Sequence, residues 1–113
     1  MEKFILLFRG SNVYQADRSP QALQVLTTKM MDWLDELSKN GLHVASERLQ
    51  RIGKQVTGIQ KVVAHYPFGD GREIIGGCTI VFAKDINEAV EMAKACPILE
   101  SNASIEVRPV QSV

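Results

Sequence analysis

The side chains best suited to chemistry gather in one short stretch, which reads His65-Tyr66-Pro67-Phe68-Gly69-Asp70-Gly71-Arg72-Glu73. Imidazole has an ordinary pKa of ~6.5, nearer neutrality than any other side chain, so His65 suits general acid–base work. Asp70 is close enough in sequence to hydrogen-bond one ring nitrogen and set its tautomer, which makes His65 and Asp70 the candidate catalytic pair. Arg72 can hold a carboxylate or enolate through paired hydrogen bonds. Tyr66, Glu73 and the more distant Glu47 complete the candidate ligand contacts. The Pro67-Phe68-Gly69 turn would present these groups from a fixed position. Each also has a plainer reading: His65 as an exposed strand-end residue, Glu47 as a solvated or salt-bridged one, and Phe68 as a core plug.

Other site chemistries find little support. His43 and His65 are far apart, and no clustered His/Cys set has metal-ligand spacing, so no metal and no cofactor is expected. Phosphate-binding glycine loops of the P-loop or dinucleotide type do not occur, nor does a Gly-x-Ser-x-Gly elbow. The pair Gly76-Gly77 lies inside a β-like run, where glycines mark a bulge or a close backbone approach by a ligand or another chain.

Charge and composition narrow the function classes. Thirteen basic and thirteen acidic residues cancel. Nucleic-acid binding as a main task needs clustered cations, so no nucleic-acid partner is expected. Net neutrality likewise gives no long-range pull toward an anionic membrane. The first apolar run, Phe4 to Phe8, is too short for a signal peptide or a membrane span. Cys78 and Cys96 lack redox or metal spacing and read as free thiols in a reducing, cytoplasmic compartment. At 113 residues, 45% of them hydrophobic, the chain fits one domain spanning residues 1–113.

The elements that must position the candidate site follow from periodicity and caps. Lys3 to Arg9 predicts a strand. Ser19-Pro20 opens a helix with Ser as N-cap and Pro in the first turn. Leu23, Leu26, Met30, Trp33, Leu34 and Leu37 form its apolar stripe, and Gly41 ends it. Trp33 falls on that stripe as a core residue, with a pocket wall as the alternative. The nine residues from Gly10 to Arg18 form a long connection, read as a surface loop or a lid. Val44 to Gln50 predicts a second strand, Ile52 to Tyr66 a hairpin, and Ile74 to Ala83 a third major strand. Asp85 caps a second helix with Glu88 three residues on, Cys96-Pro97 closes it, and Ser104 to Val110 is a final strand.

Two β-α-β units in this order make a ferredoxin-like α+β sandwich, with both helices on one face of an antiparallel sheet. Such a sheet should alternate apolar and polar residues. The first strand instead sets Ile5 and Leu7 against Phe4, Leu6 and Phe8, and the strong strand sets Cys78, Ile80 and Phe82 against Thr79, Val81 and Ala83. Both faces therefore need cover, and a second copy of the chain is the simplest source. A homodimer is the expectation, with loops folded over the free face as the competing one.

The stretch from His65 to Gly77 resembles the signature of the YCII-related family, in its DGPF subgroup. That signature typically runs Asp-Gly-Pro-Phe, a small residue, an acid, a spacer, Lys-Glu, two aliphatics and Gly-Gly. Pro67, Phe68, Glu73, Gly76 and Gly77 match it, with Asp70 and Arg72 as like-for-like replacements, while His65 and Tyr66 stand in place of Asp and Gly. Trp33, Glu36-Leu37, Gly41, Glu47, Leu49, Asp85, Glu88-Ala89, Ala93, Pro97 and the Ile105–Pro109 run resemble the family in the same order. The resemblance implies a dimeric α/β barrel. A His–Asp pair proposed for one branch of the family is not carried over, because Met30 stands near the position of its histidine and the first helix has none.

Two function classes follow. One is a cofactor-free enzyme of isomerase or lyase type acting on an unknown small molecule. The other is a non-catalytic ligand-binding or transcription-linked regulatory module, a role that the resemblance implies because some relatives are encoded beside sigma factors or fused to them.

Overall fold

The computed structural model describes residues 1–10, 19–66, 74–101 and 103–112. Its elements run β1 (Glu2–Arg9), α1 (Pro20–Lys39), β2 (His43–Arg48), β3 (Lys54–Thr57), β4 (Val62–His65), β5 (Ile75–Ala83), α2 (Ile86–Lys94), a 3₁₀ turn (Pro97–Ser101) and β6 (Ser104–Pro109). The main sheet has the order β2-β5-β1-β6, and its pairings are antiparallel. This is the ferredoxin-like α+β arrangement expected from the element order. The β3–β4 hairpin is a separate two-stranded sheet.

Helix α1 begins where the sequence places its cap: Ser19 Oγ accepts from the Ala22 amide at 3.1 Å. It ends in a Schellman closure. Gly41, at a φ of 69°, lets its amide reach Ser38 O and the Leu42 amide reach Leu37 O. That closure sets the start of β2, since the Leu42 carbonyl then accepts from Phe82 of β5 at 2.8 Å. Helix α2 is capped by Asp85, whose Oδ1 accepts from the Glu88 amide at 2.9 Å.

The core lies between one sheet face and the helices. Phe4, Leu6 and Phe8 of β1 and Val81 and Ala83 of β5 meet Leu26, Met30, Trp33 and Leu37 of α1 and Ala89 and Ala93 of α2. On the opposite face Ile5, Leu7, Cys78, Ile80 and Phe82 stay half-exposed. Among the described residues the slab is 18 Å thick, room for two layers at the ~10 Å spacing of packed elements.

Cys96 is buried, its thiol 3.7 Å from Met30 Sδ. Burial pushes its pKa up to about 11. Iodoacetamide at neutral pH is therefore expected to leave Cys96 untouched in the folded protein and to alkylate it in urea, as peptide mapping would show. The raised pKa means the folded state prefers the neutral thiol. Its contribution to stability is complete below the thiol's ordinary value of 9.0 and is lost as pH rises toward 11.

Candidate functional site

A cavity of about 780 Å³ opens at one end of the sheet. Helix α1 supplies Thr27, Met30, Met31 and Leu34, and Phe8, Ile98 and Ala103 add to the apolar wall. The polar side comes from Ser46, Glu47, Arg48 and Arg51 on and after β2, from Tyr66, and from Thr79 on β5. Arg9 at the end of β1 also lines it, and its Nε lies 2.8 Å from Glu106 Oε1. The described wall thus combines an apolar floor with three guanidinium groups and one carboxylate. That combination favours a small molecule with a ring or chain to bury and a negative charge to neutralise.

The sequence-derived candidates divide. Tyr66 and Glu47 line the cavity. His65 is the last residue of β4, opposite Lys54, and is exposed; it is not among the cavity's lining residues. Asp70, Arg72 and Glu73 lie outside the described residues, as do Pro67-Phe68-Gly69 and residues 11–18 of the long connection. The described residues on either side of the first segment, Tyr66 and Ile74, both line the cavity. Trp33 is core and not wall.

Gly76 and Gly77 have separate local reasons. β1 pairs Phe8 with Gly77 and Arg9 with Ile75, which leaves Gly76 as the extra residue of a bulge. A Cβ on Gly77 would stand 2.6 Å from the backbone oxygen of Glu47. The close neighbour is therefore β2 of the same chain, at the strand that carries the cavity's polar side.

A polar chain reaches this wall from β2. His43 Nε2 lies 2.9 Å from Ser46 Oγ, and Ser46 Oγ lies 2.9 Å from Thr79 Oγ1. Thr79 is 1% exposed, and its hydroxyl is satisfied by this contact. Residues three apart on a regular strand point to opposite faces. Here β2 pairs His43 with Val81 but Ala45 with Ile80, so one extra residue rephases the strand and puts His43 and Ser46 together. Regular alternation would separate His43 from Ser46, so spacing alone does not pair them. Groups of three or more His, Cys, Asp or Glu able to hold a metal ion do not occur among the described residues, nor does a helix long and apolar enough to cross a membrane.

Comparison with known proteins bears on this geometry. The YCII-related domain family matches residues 8–113. No curated protein matches the sequence. Among solved structures, 5-chloro-2-hydroxyhydroquinone dehydrochlorinase (TftG) from Burkholderia phenoliruptrix AC1100, in complex with 2,5-dihydroxybenzoquinone, is similar with a TM-score of 0.53. The match covers 98% of this chain and 95% of that one at 15% identity, a likeness of fold.

Proposed function

The chain belongs to the YCII-related domain family, and from that premise we propose that it is a homodimer whose cavity beside β2 and α1 binds a small molecule for cofactor-free acid–base chemistry of isomerase or lyase type. The observation that carries this reading is the cavity itself: about 780 Å³, apolar on the helix side and hydroxyl- and arginine-bearing on the strand side. The similar fold of TftG, a dehydrochlorinase solved with a small ring compound, supports a ligand of that size. Its identity of 15% carries nothing about residues. In this reading Tyr66 and Glu47 meet the ligand from the described wall, and His65, Asp70, Arg72 and Glu73 are the neighbouring candidates that substitution must test. A cytoplasmic location goes with the free thiols.

Ligand-detected NMR against a metabolite library tests the proposal. A reproducible ligand should weaken about tenfold or more in Ala103→Phe, which places a ring in the cavity. It should also respond to His65→Ala or Arg72→Ala. A ligand indifferent to all three substitutions would place the site elsewhere. The competing reading, a binding module without chemistry, draws on the exposed position of His65. It predicts binding with no turnover of any ligand so found.

The dimer rests on the free sheet face. Ile5, Leu7, Cys78, Ile80 and Phe82 form its apolar centre, and the Arg9–Glu106–Arg108 ion-pair cluster its rim, the usual anatomy of a stable interface. Such an interface should bury at least ~1,200 Å² in total. Light scattering is expected to give twice the chain mass, and Ile80→Asp to give the monomer. A compact monomer for the unaltered chain at micromolar concentration would end the idea.

A further inference from the structure

We infer that Ser46 is the ligand-facing proton carrier of the cavity and that His43 is the base behind it, an assignment that rests on the cavity reading above. Ser46 lines the cavity and His43 does not. His43 therefore acts only through Ser46 and is a positioning residue. The two are hydrogen-bonded at 2.9 Å, within the reach that a hydroxyl and its base require.

The valences of the Ser46 oxygen follow from the tautomer of His43. With the ring proton on Nδ1, His43 Nε2 accepts the Ser46 hydroxyl proton. In that tautomer Thr79, buried and 2.9 Å away, must be the donor to one lone pair of Ser46 Oγ, because the single Ser46 proton is given to His43. One lone pair remains on this residue of the cavity wall. A phenolic O–H or a C–H activated by a neighbouring carbonyl can meet it there. Ser46 Oγ takes that proton as its own passes to Nε2. One ligand bond to hydrogen breaks, one O–H forms and one breaks at Ser46, and one N–H forms at His43. The ligand keeps the electron pair as a phenolate or enolate, and Arg48 and Arg51 in the same wall supply positive charge for it. Return of the proton to another carbon completes an isomerisation, and loss of an anionic leaving group completes an elimination.

The substrate class is therefore a small phenol or enolisable carbonyl compound with an apolar body that fits against Phe8, Met30 and Leu34. The β2 bulge is the element that makes the pair possible, because it places a residue and its third neighbour on one face.

Nitrophenols provide the probe, because phenolate and phenol absorb differently in the visible. The purified full chain is mixed with para-nitrophenol and its ortho isomer at a pH below the free phenol's own pKa. Binding is read by equilibrium dialysis and ionisation by absorbance. The bound probe is expected to be ionised several-fold more than the free one. His43→Gln keeps a polar side chain but takes no proton. It should lose the excess phenolate, as should Ser46→Ala, and the ionised fraction of the bound probe, not its affinity, is the readout. Ser46→Thr restores a hydroxyl and should restore the excess, which guards against loss through misfolding. Binding without excess phenolate, or an excess that survives His43→Gln, overturns the relay and leaves the cavity reading standing. No binding of either phenol to the wild-type chain overturns both.

Discussion

Trp33→Ala is expected to lower the unfolding free energy by about 3–5 kcal/mol, the usual cost of truncating a buried aromatic side chain. Trp33 is 8% exposed and lies on the face of α1 turned to the sheet. Its ring centroid is 6.4 Å from that of Phe8 at an interplanar angle of 58°, a tilted pair of the kind aromatic rings favour. Its Nε1–H donates to Met92 O at 3.1 Å and so ties α1 to α2. The alanine variant removes the packing against β1 and the bond to α2 together. Trp33→Phe separates the two, because it keeps a ring and loses only the N–H. It should cost less, about 1–2 kcal/mol including the loss of hydrogen bonding to a half-buried carbonyl. Urea midpoints of the three proteins give the answer. An unchanged midpoint for Trp33→Ala would remove Trp33 from the core and return it to consideration as a ligand contact.

Gly77→Ala should be the costliest single-methyl change in the sheet, at about 1–3 kcal/mol or more. The added Cβ meets a backbone oxygen, Glu47 O, at 2.6 Å, and a backbone atom in a paired strand has no alternative rotamer. β2 must move away from β5. It pairs with β5 alone in the main sheet, as the edge strand of the order β2-β5-β1-β6. The same movement pulls Ser46 from Thr79 and Arg48 from its place opposite Gly77. The variant should therefore lose stability and cavity binding in parallel. Gly76→Ala is the control, since a Cβ there has nothing within 4 Å. A Gly77→Ala protein with wild-type urea midpoint would show that β2 yields without cost.

How much of this was legible in the sequence depended on the range over which each feature is set. Ser19-Pro20, Asp85 with Glu88, and Gly41 each act on backbone groups within a few residues, so their types alone announced where the helices begin and end. Alternation along β1 and β5 is likewise local, and it exposed a second apolar face that the described chain leaves half-exposed. The family signature marked the neighbourhood of the cavity, since Tyr66 and Ile74 both line it.

What the tertiary structure alone decided concerns groups that meet across distance. The sequence ranked His65 first because charged neighbours crowd it, but crowding in sequence does not aim a side chain. The β3–β4 pairing places His65 on an exposed strand, opposite Lys54. His43 enters the sequence only as an isolated histidine without metal-ligand spacing, since regular pleating would put it and Ser46 on opposite faces. An extra residue in β2, visible only in the register against β5, reverses that relation. The reason for Gly77 was equally hidden: a glycine permits close approach, and only strand pairing reveals that the approaching atom belongs to Glu47 of the same chain. Local rules govern caps and periods because their partners are a turn away. A cavity wall is built from strands and helices tens of residues apart, and its membership follows from register and packing, which no short window of sequence contains.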